Sequence, residues 1–292
     1  MKELQFNMSD IGFGANRLGI MHGWVTIQDQ NPELASKINY IPHRLYPENH
    51  YAWNKKFYNT VHAASVSVYE KNLETFAQGM TPILVGGDHS LALGSVKASM
   101  KAHEGEDIGL VWIDAHGDLN TFEITESGNI HGMPVAGLIG INDEHYNNLG
   151  NDLRMKPENV AFIATRDVDY EEDILMHKLG ILNYTDTLLR ATSIDAAIEA
   201  ITNKFRGKVS KLHISFDFDS CNPEVIKGVT TAVPGGLTRE QPFEIMKKLS
   251  ERFEIVAIDI VEYNPLTDID GETLNLLDEM TTKLQSLVKV PV

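Results

Sequence analysis

Five short, nearly continuous apolar runs most constrain what this chain can fold into: 82–85, 108–113, 160–164, 212–216 and 255–261. They are too short for typical buried helices, and they are rich in Val, Ile and Phe. With no polar alternation, such segments are predicted to be strands buried on both faces. Amphipathic stretches at 53–78, 90–103, 194–204, 239–252 and 272–289 lie among them and are predicted to be helices. Alternating strand and helix predicts an α/β fold with a mostly parallel sheet flanked by helices on both faces. Neither an internal repeat nor a low-complexity tract nor a Pro/Gly/Ser-rich linker divides the chain, so residues 1–292 are expected to form a single domain. A sheet of this kind carries its ligand site beyond the carboxyl ends of its strands.

Four of the five runs end in side chains able to bind metal. After the first comes Gly86-Gly87-Asp88-His89-Ser90, after the second Asp114-Ala115-His116-Gly117-Asp118, after the fourth Asp217-Phe218-Asp219, and after the fifth Glu262. In extended backbone, residues i and i+2 project to one side, so Asp114 with His116, and Asp217 with Asp219, can each converge on a point. His89, Asp114, His116, Asp118, Asp217 and Asp219 together supply two imidazoles and four carboxylates. With carboxylates bridging, that set suits two divalent ions. Mixed nitrogen and oxygen ligands favour an ion such as Mn, with Zn, Co and Fe left open. Each motif alone has an ordinary explanation: Gly86-Gly87 as a tight turn, Asp88 or Ser90 as a helix cap, Asp-x-His or Asp-x-Asp as surface turns. Their coincidence at the ends of different strands favours a metal site.

The charge balance narrows the partners. Acidic residues outnumber basic ones 41 to 25, for a net charge of -16. That field opposes phosphate backbones and anionic membranes and favours a cationic small molecule. The single cysteine, Cys221, excludes an intramolecular disulfide and is read as a free thiol in a loop. The first residues do not look like a signal peptide, and no apolar run approaches the roughly 18 residues of a membrane span. A cytoplasmic protein is expected.

The three clusters, in this order, resemble the metal motifs of the ureohydrolase family, and of its arginase branch closely. The resemblance runs from about Pro82 to Pro265. It implies two Mn ions per subunit, Co being a possible substitute, and a homotrimer or homohexamer. One ion would be held by His89, Asp114, Asp118 and Asp217, the other by Asp114, His116, Asp217 and Asp219. The stretch Ser127-Gly128-Asn129-Ile130-His131 resembles the one contacting the substrate carboxylate and carrying a catalytic histidine. Arg166-Asp167-Val168-Asp169, with Glu172, resembles the segment facing the α-amino group. Asn120 and Thr231 fall in stretches resembling the substrate-binding part of the family's site.

The expected reaction follows. A guanidinium is a poor electrophile that stays protonated at neutral pH. The resemblance implies that a hydroxide bridging the two metals attacks its carbon, releasing urea and ornithine. Glu262 would pair with the guanidinium, Asp118 would carry a proton to the departing amine, and His131, with a pKa near 6.5, would exchange protons with solvent. Hydroxyl and amide donors at Ser127 and Asn129, with acceptors at Asp169 and Glu172, suit both ends of an amino acid and so favour arginine. Agmatine, guanidinobutyrate and formiminoglutamate are the rival substrates, and a non-catalytic metal-stabilised assembly the rival class. The chain departs from the family pattern at Asn222, where an acidic residue is usual, and at Thr230 and Ala232, where Gly and Pro are common. Altered loop geometry is expected there.

Overall fold

The computed structural model describes residues 2–49 and 52–288. Eight strands, β1 (Leu4–Met8), β2 (Ile38–Tyr40), β3 (Thr81–Val85), β4 (Ile108–Ile113), β5 (Val160–Ile163), β6 (Leu182–Tyr184), β7 (Lys211–Asp217) and β8 (Glu254–Val261), form one sheet. Its order is β2-β1-β3-β8-β7-β4-β5-β6, and every pairing is parallel. This is the expected architecture. The five apolar runs are the five central strands, and β3, β4 and β5 are buried along their whole length.

The three strands without a sequence signal, β1, β2 and β6, lie toward the sheet edges. Two of them are three residues long and partly exposed, which leaves too little pattern to read. Helices pack on both faces over two apolar clusters. One contains Val85, Ile113, Ile163, Phe216 and Ile258; the other contains Leu84, Leu110, Trp112, Phe162 and Val261. The first long helix runs over Tyr58–Ala77 and not from 53, because Phe57 adopts a left-handed φ of 54° that breaks the helical path. The last helix, Glu272–Lys283, ends in a short 3-10 turn at Leu284–Ser286; residue 289 of the expected helix lies outside the described residues. No helix among the described residues is long and apolar enough to cross a membrane.

Strand order explains why distant motifs meet. The neighbours β3, β8, β7, β4 and β5 end side by side, delivering His89, Glu262, Asp217, Asp114 and the 165–172 segment to one edge. Gly86 and Gly87 turn the chain out of β3 with φ of +73° and +77°. A Cβ on Gly87 would stand 2.6 Å from the Ser9 carbonyl oxygen, so this turn admits only glycine.

Candidate metal centre

The acidic side chains are held first by their own backbone. Asp114 Oδ1 accepts from the His116 amide at 2.7 Å, and Asp217 Oδ1 from the Asp219 amide at 2.7 Å. Each carboxylate is thereby fixed by the residue two positions on, whose side chain joins the same cluster. Trp112 Nε1 donates to Asp114 Oδ2 at 3.0 Å, and its indole stacks on His89 at 4.0 Å between centroids. The packing beneath the site therefore also orients it.

His89 Nδ1 lies 2.9, 3.1 and 3.2 Å from carboxylate oxygens of Asp114, Asp118 and Asp217. Nevertheless this buried nitrogen makes no aligned hydrogen bond with any of them. One imidazole nitrogen and three anions converge on a point, an arrangement that a cation satisfies. His116 Nδ1 stands 3.4 Å from Asp114 and 3.1 Å from Asp219, marking a second point that shares Asp114. Two triads, His89 with Asp114 and Asp217, and Asp114 with His116 and Asp219, each bring ligand atoms within 4.8 Å of one another. The donor set thus fits a pair of divalent ions.

Electrostatics agree. Burial alone disfavours charge on His89 and His116, yet the surrounding carboxylates hold both imidazoles well above their ordinary range. Burial, with the charges of Asp219 and Asp114, pushes the Asp217 carboxyl well up. Such a cluster holds protons where ions would otherwise bind, so metal uptake must release them.

Behind the ligands lies a layer that the motifs did not reveal. His89 Nε2 lies 2.9 Å from Ser215 Oγ, whose proton goes to Asp259 at 3.1 Å. With that hydroxyl committed, Nε2 must be the donor, and Nδ1 is the nitrogen left for a cation. Asp259 also receives Ser95 Oγ at 2.5 Å and pairs with His213 Nε2 at 2.8 Å. A signal existed: Asp259, His213 and Ser215 are polar residues inside strands buried on both faces, where polarity is costly unless paired. Asp167, from the segment resembling the α-amino site, lies 3.8 Å from His116 Nε2.

A cavity of about 120 Å³ opens onto this floor. His116, Asp118, Asn120, Ser127, His131, Asp169, Glu172 and Thr231 line it, whereas Asn129 does not. Glu262 is buried behind His131. Its Oε1 accepts from the His89 amide at 2.8 Å and lies 3.0 Å from His131 Nδ1, while its Oε2 is buried with no hydrogen-bond partner among the described residues. Both Asp118 (φ 46°) and Glu262 (φ 67°) hold left-handed backbone, strain that clusters at functional positions. Burial opposes charge on His131, but the Glu262 carboxylate outweighs it and raises the imidazole to about 9, not near 6.5. At neutral pH in the metal-free protein this side chain is a proton donor.

The cavity walls carry structural duties. Asp169 caps the Tyr170–Leu179 helix and Glu172 completes the capping box, its Oε2 accepting from the Asp169 amide at 3.1 Å. Glu172 Oε1 also accepts from the Leu119 amide at 2.7 Å, and burial raises this carboxyl to about 8. Asn120 Nδ2 donates to Asp169 at 2.9 Å, and Thr231 Oγ1 to Asp219 at 2.9 Å.

Arg166 is turned toward the Asp219 turn and the loop at 233–234. Its guanidinium donates to the carbonyls of Asp219, Ser220, Cys221, Val233 and Pro234, stapling the loops at Asn222 and Ala232 to the Asp219 turn. Five donors in a fixed fork suit that task. Cys221 is buried beside this staple, and burial pushes its thiol to about 12, which leaves it inert.

The sequence pattern defining the Arginase family matches residues 20–285. The arginase of Bacillus subtilis is 34% identical over 227 residues, covering 77% of this chain and 76% of that protein. A solved structure of the Bacillus subtilis arginase superposes with a TM-score of 0.87 at 29% identity, covering 100% of both chains. The Entamoeba histolytica arginase, solved in complex with L-ornithine, gives 0.87 at 26% identity over 97% of this chain and 99% of its own. With a pattern match spanning most of its length and a fold that these enzymes share throughout, this chain belongs to the arginase family.

Proposed function

We propose that the protein hydrolyses the guanidino group of L-arginine to L-ornithine and urea. A single observation carries the reading: a buried carboxylate, Glu262, keeps one oxygen without a partner among the described residues, beside a floor suited to two divalent ions. A guanidinium is the cation whose planar donors meet such an oxygen. His89, Asp114, Asp118 and Asp217 would hold one ion, and Asp114, His116, Asp217 and Asp219 the other, with Mn the proposed metal. When bound, the pair lowers the pKa of water toward neutrality and so supplies the nucleophile without a strong base.

The chain's own residues do the rest. Glu262 binds and orients the guanidinium, held in place by the His89 amide and His131. Asp118 accepts the proton of the attacking water and passes it to the departing amine. His131, at the cavity wall and partly exposed, returns protons from solvent. Asp169 and Glu172 face the α-ammonium, while Ser127 and Asn120 at the cavity wall serve the carboxylate, with Asn129 joining them from the adjoining turn on substrate binding, and Thr231 steadies Asp219. In this reading residues 1–292 act as one catalytic domain that assembles as a homotrimer or homohexamer in the cytoplasm.

The test is side-by-side turnover of L-arginine, agmatine and guanidinobutyrate by metal-loaded protein, with urea and amine quantified. Arginine is expected to show the highest kcat/KM. A preference for either of the others would overturn the substrate, and bound metal without urea release would overturn the enzyme.

A further inference from the structure

Three aspartates, Asp118, Asp167 and Asp169, line the cavity, in a chain of net charge -16. An amino-acid substrate must bring its own carboxylate into that field, where hydroxyl and amide donors orient it without balancing its charge. Lys56, which does not itself line the cavity, sets a cation against the loop that brings Ser127 to its wall. Its Nζ donates to the Ser127 carbonyl at 2.6 Å and lies 3.5 Å from Asn129 Oδ1. The attachment is firm. The Lys56 amide donates to the Gly128 carbonyl at 3.1 Å, and Gly128 has φ +70° with the Trp53 carbonyl oxygen 1.9 Å from where a Cβ would be. The segment carrying Lys56 and the loop at 127–129 are thus packed backbone to backbone.

The contacts also leave donors available. Ser127 Oγ accepts from the Asn129 amide at 3.2 Å, so its own proton is not needed for that bond. With Asn129 Oδ1 toward the ammonium, the amide NH2 faces elsewhere.

We propose that Lys56 is a specificity-determining residue: it balances the substrate α-carboxylate at the 127–129 wall and so favours amino acids over the corresponding decarboxylated amines. The proposal rests on the arginine reading above. Its test compares Lys56→Met and Lys56→Arg with the wild-type holoenzyme, using inhibition by L-ornithine, inhibition by putrescine, and the KM for L-arginine. In Lys56→Met, L-ornithine inhibition and arginine KM are expected to weaken by about three- to fivefold, the scale of a partly exposed charge pair. Putrescine inhibition should be unchanged, and the loss should fall on KM more than on kcat. Lys56→Arg should retain most of the affinity. Added salt should weaken L-ornithine binding less in Lys56→Met than in the wild type. Equal weakening of both diamines would mean that Lys56 merely supports the wall, and no change in either would remove it from recognition; both results overturn the proposal. Should the wild type prefer agmatine, the substrate reading fails on its own, while the ratio of L-ornithine to putrescine inhibition across the variants still decides the role of Lys56.

Discussion

The floor and the wall of this cavity are built differently. On the floor, Asp114 and Asp217 stand at the ends of central strands, each is tied to the amide two residues on, and the Trp112 indole braces Asp114 from below. The parallel sheet sets their positions. On the wall, Asp169, Glu172 and Asn120 hang from loops and a helix start, and their atoms already serve one another. The chemistry therefore stands on the stiffest part of the molecule, and substrate choice on a part whose hydrogen bonds can be rearranged by a few substitutions.

Substitutions on the floor should have the largest effects and split metal from chemistry. Asp217→Ala removes a carboxylate from the point where His89 and Asp114 converge, and is expected to lower bound metal per chain and abolish urea formation. Elemental analysis after gel filtration measures the first; wild-type metal content with full turnover would remove Asp217 from the ligand set. Glu262→Gln leaves the cluster intact but presents an uncharged amide to the guanidinium. Its metal content should match the wild type while kcat/KM for arginine falls by about 10²- to 10³-fold, the scale for losing one aligned charge-stabilising group. Parallel loss of metal would mean that Glu262 belongs to the floor and not to the substrate.

A smaller effect is expected one layer deeper. Asp259→Asn weakens the acceptor that holds Ser215, and through Ser215 the tautomer of His89. Losing such support typically costs about 10- to 100-fold in metal affinity. Calorimetric titration of the stripped protein should show that loss in one of two binding events, with full activity recovered at saturating metal. An unchanged isotherm would make the buried network a matter of packing alone.

The same contrast explains what could be read in advance. The ligand motifs were legible because strand periodicity puts i and i+2 on one side, and continuous apolar runs mark central strands. The staple formed by Arg166 was not legible: its guanidinium reaches carbonyls more than 50 residues away in the chain, and its sequence neighbours suggested a place facing the substrate. Asn129 shares the 127–129 loop with Ser127, and of the two it is Ser127 that lines the cavity. The short strands β2 and β6 owe their form to the neighbouring strands they pair with, a tertiary cause that local pattern does not carry.

The subtlest difference between floor and wall is in how they respond to pH. In the metal-free protein, burial raises Glu172 on the wall from 4.5 to about 8, and Glu262 outweighs burial to raise His131 from 6.5 to about 9. A raised pKa in the folded state means that folding takes up protons. The associated stability is complete below the unfolded pKa and is lost as pH climbs through the folded one. Glu172 therefore loses its contribution between about pH 4.5 and 8, and His131 between about 6.5 and 9. The Tm of stripped protein should fall steadily from pH 6 to 9. Glu172→Gln, which cannot ionise, should flatten the part of the fall below pH 8 and leave the part due to His131. Saturating divalent metal should raise Tm more at pH 9 than at pH 6, because protons no longer compete for the ligands. A stripped protein whose Tm is level across this range would mean that neither group is as buried against charge as the wall requires, and that the acidic cavity is open enough for water to solvate it.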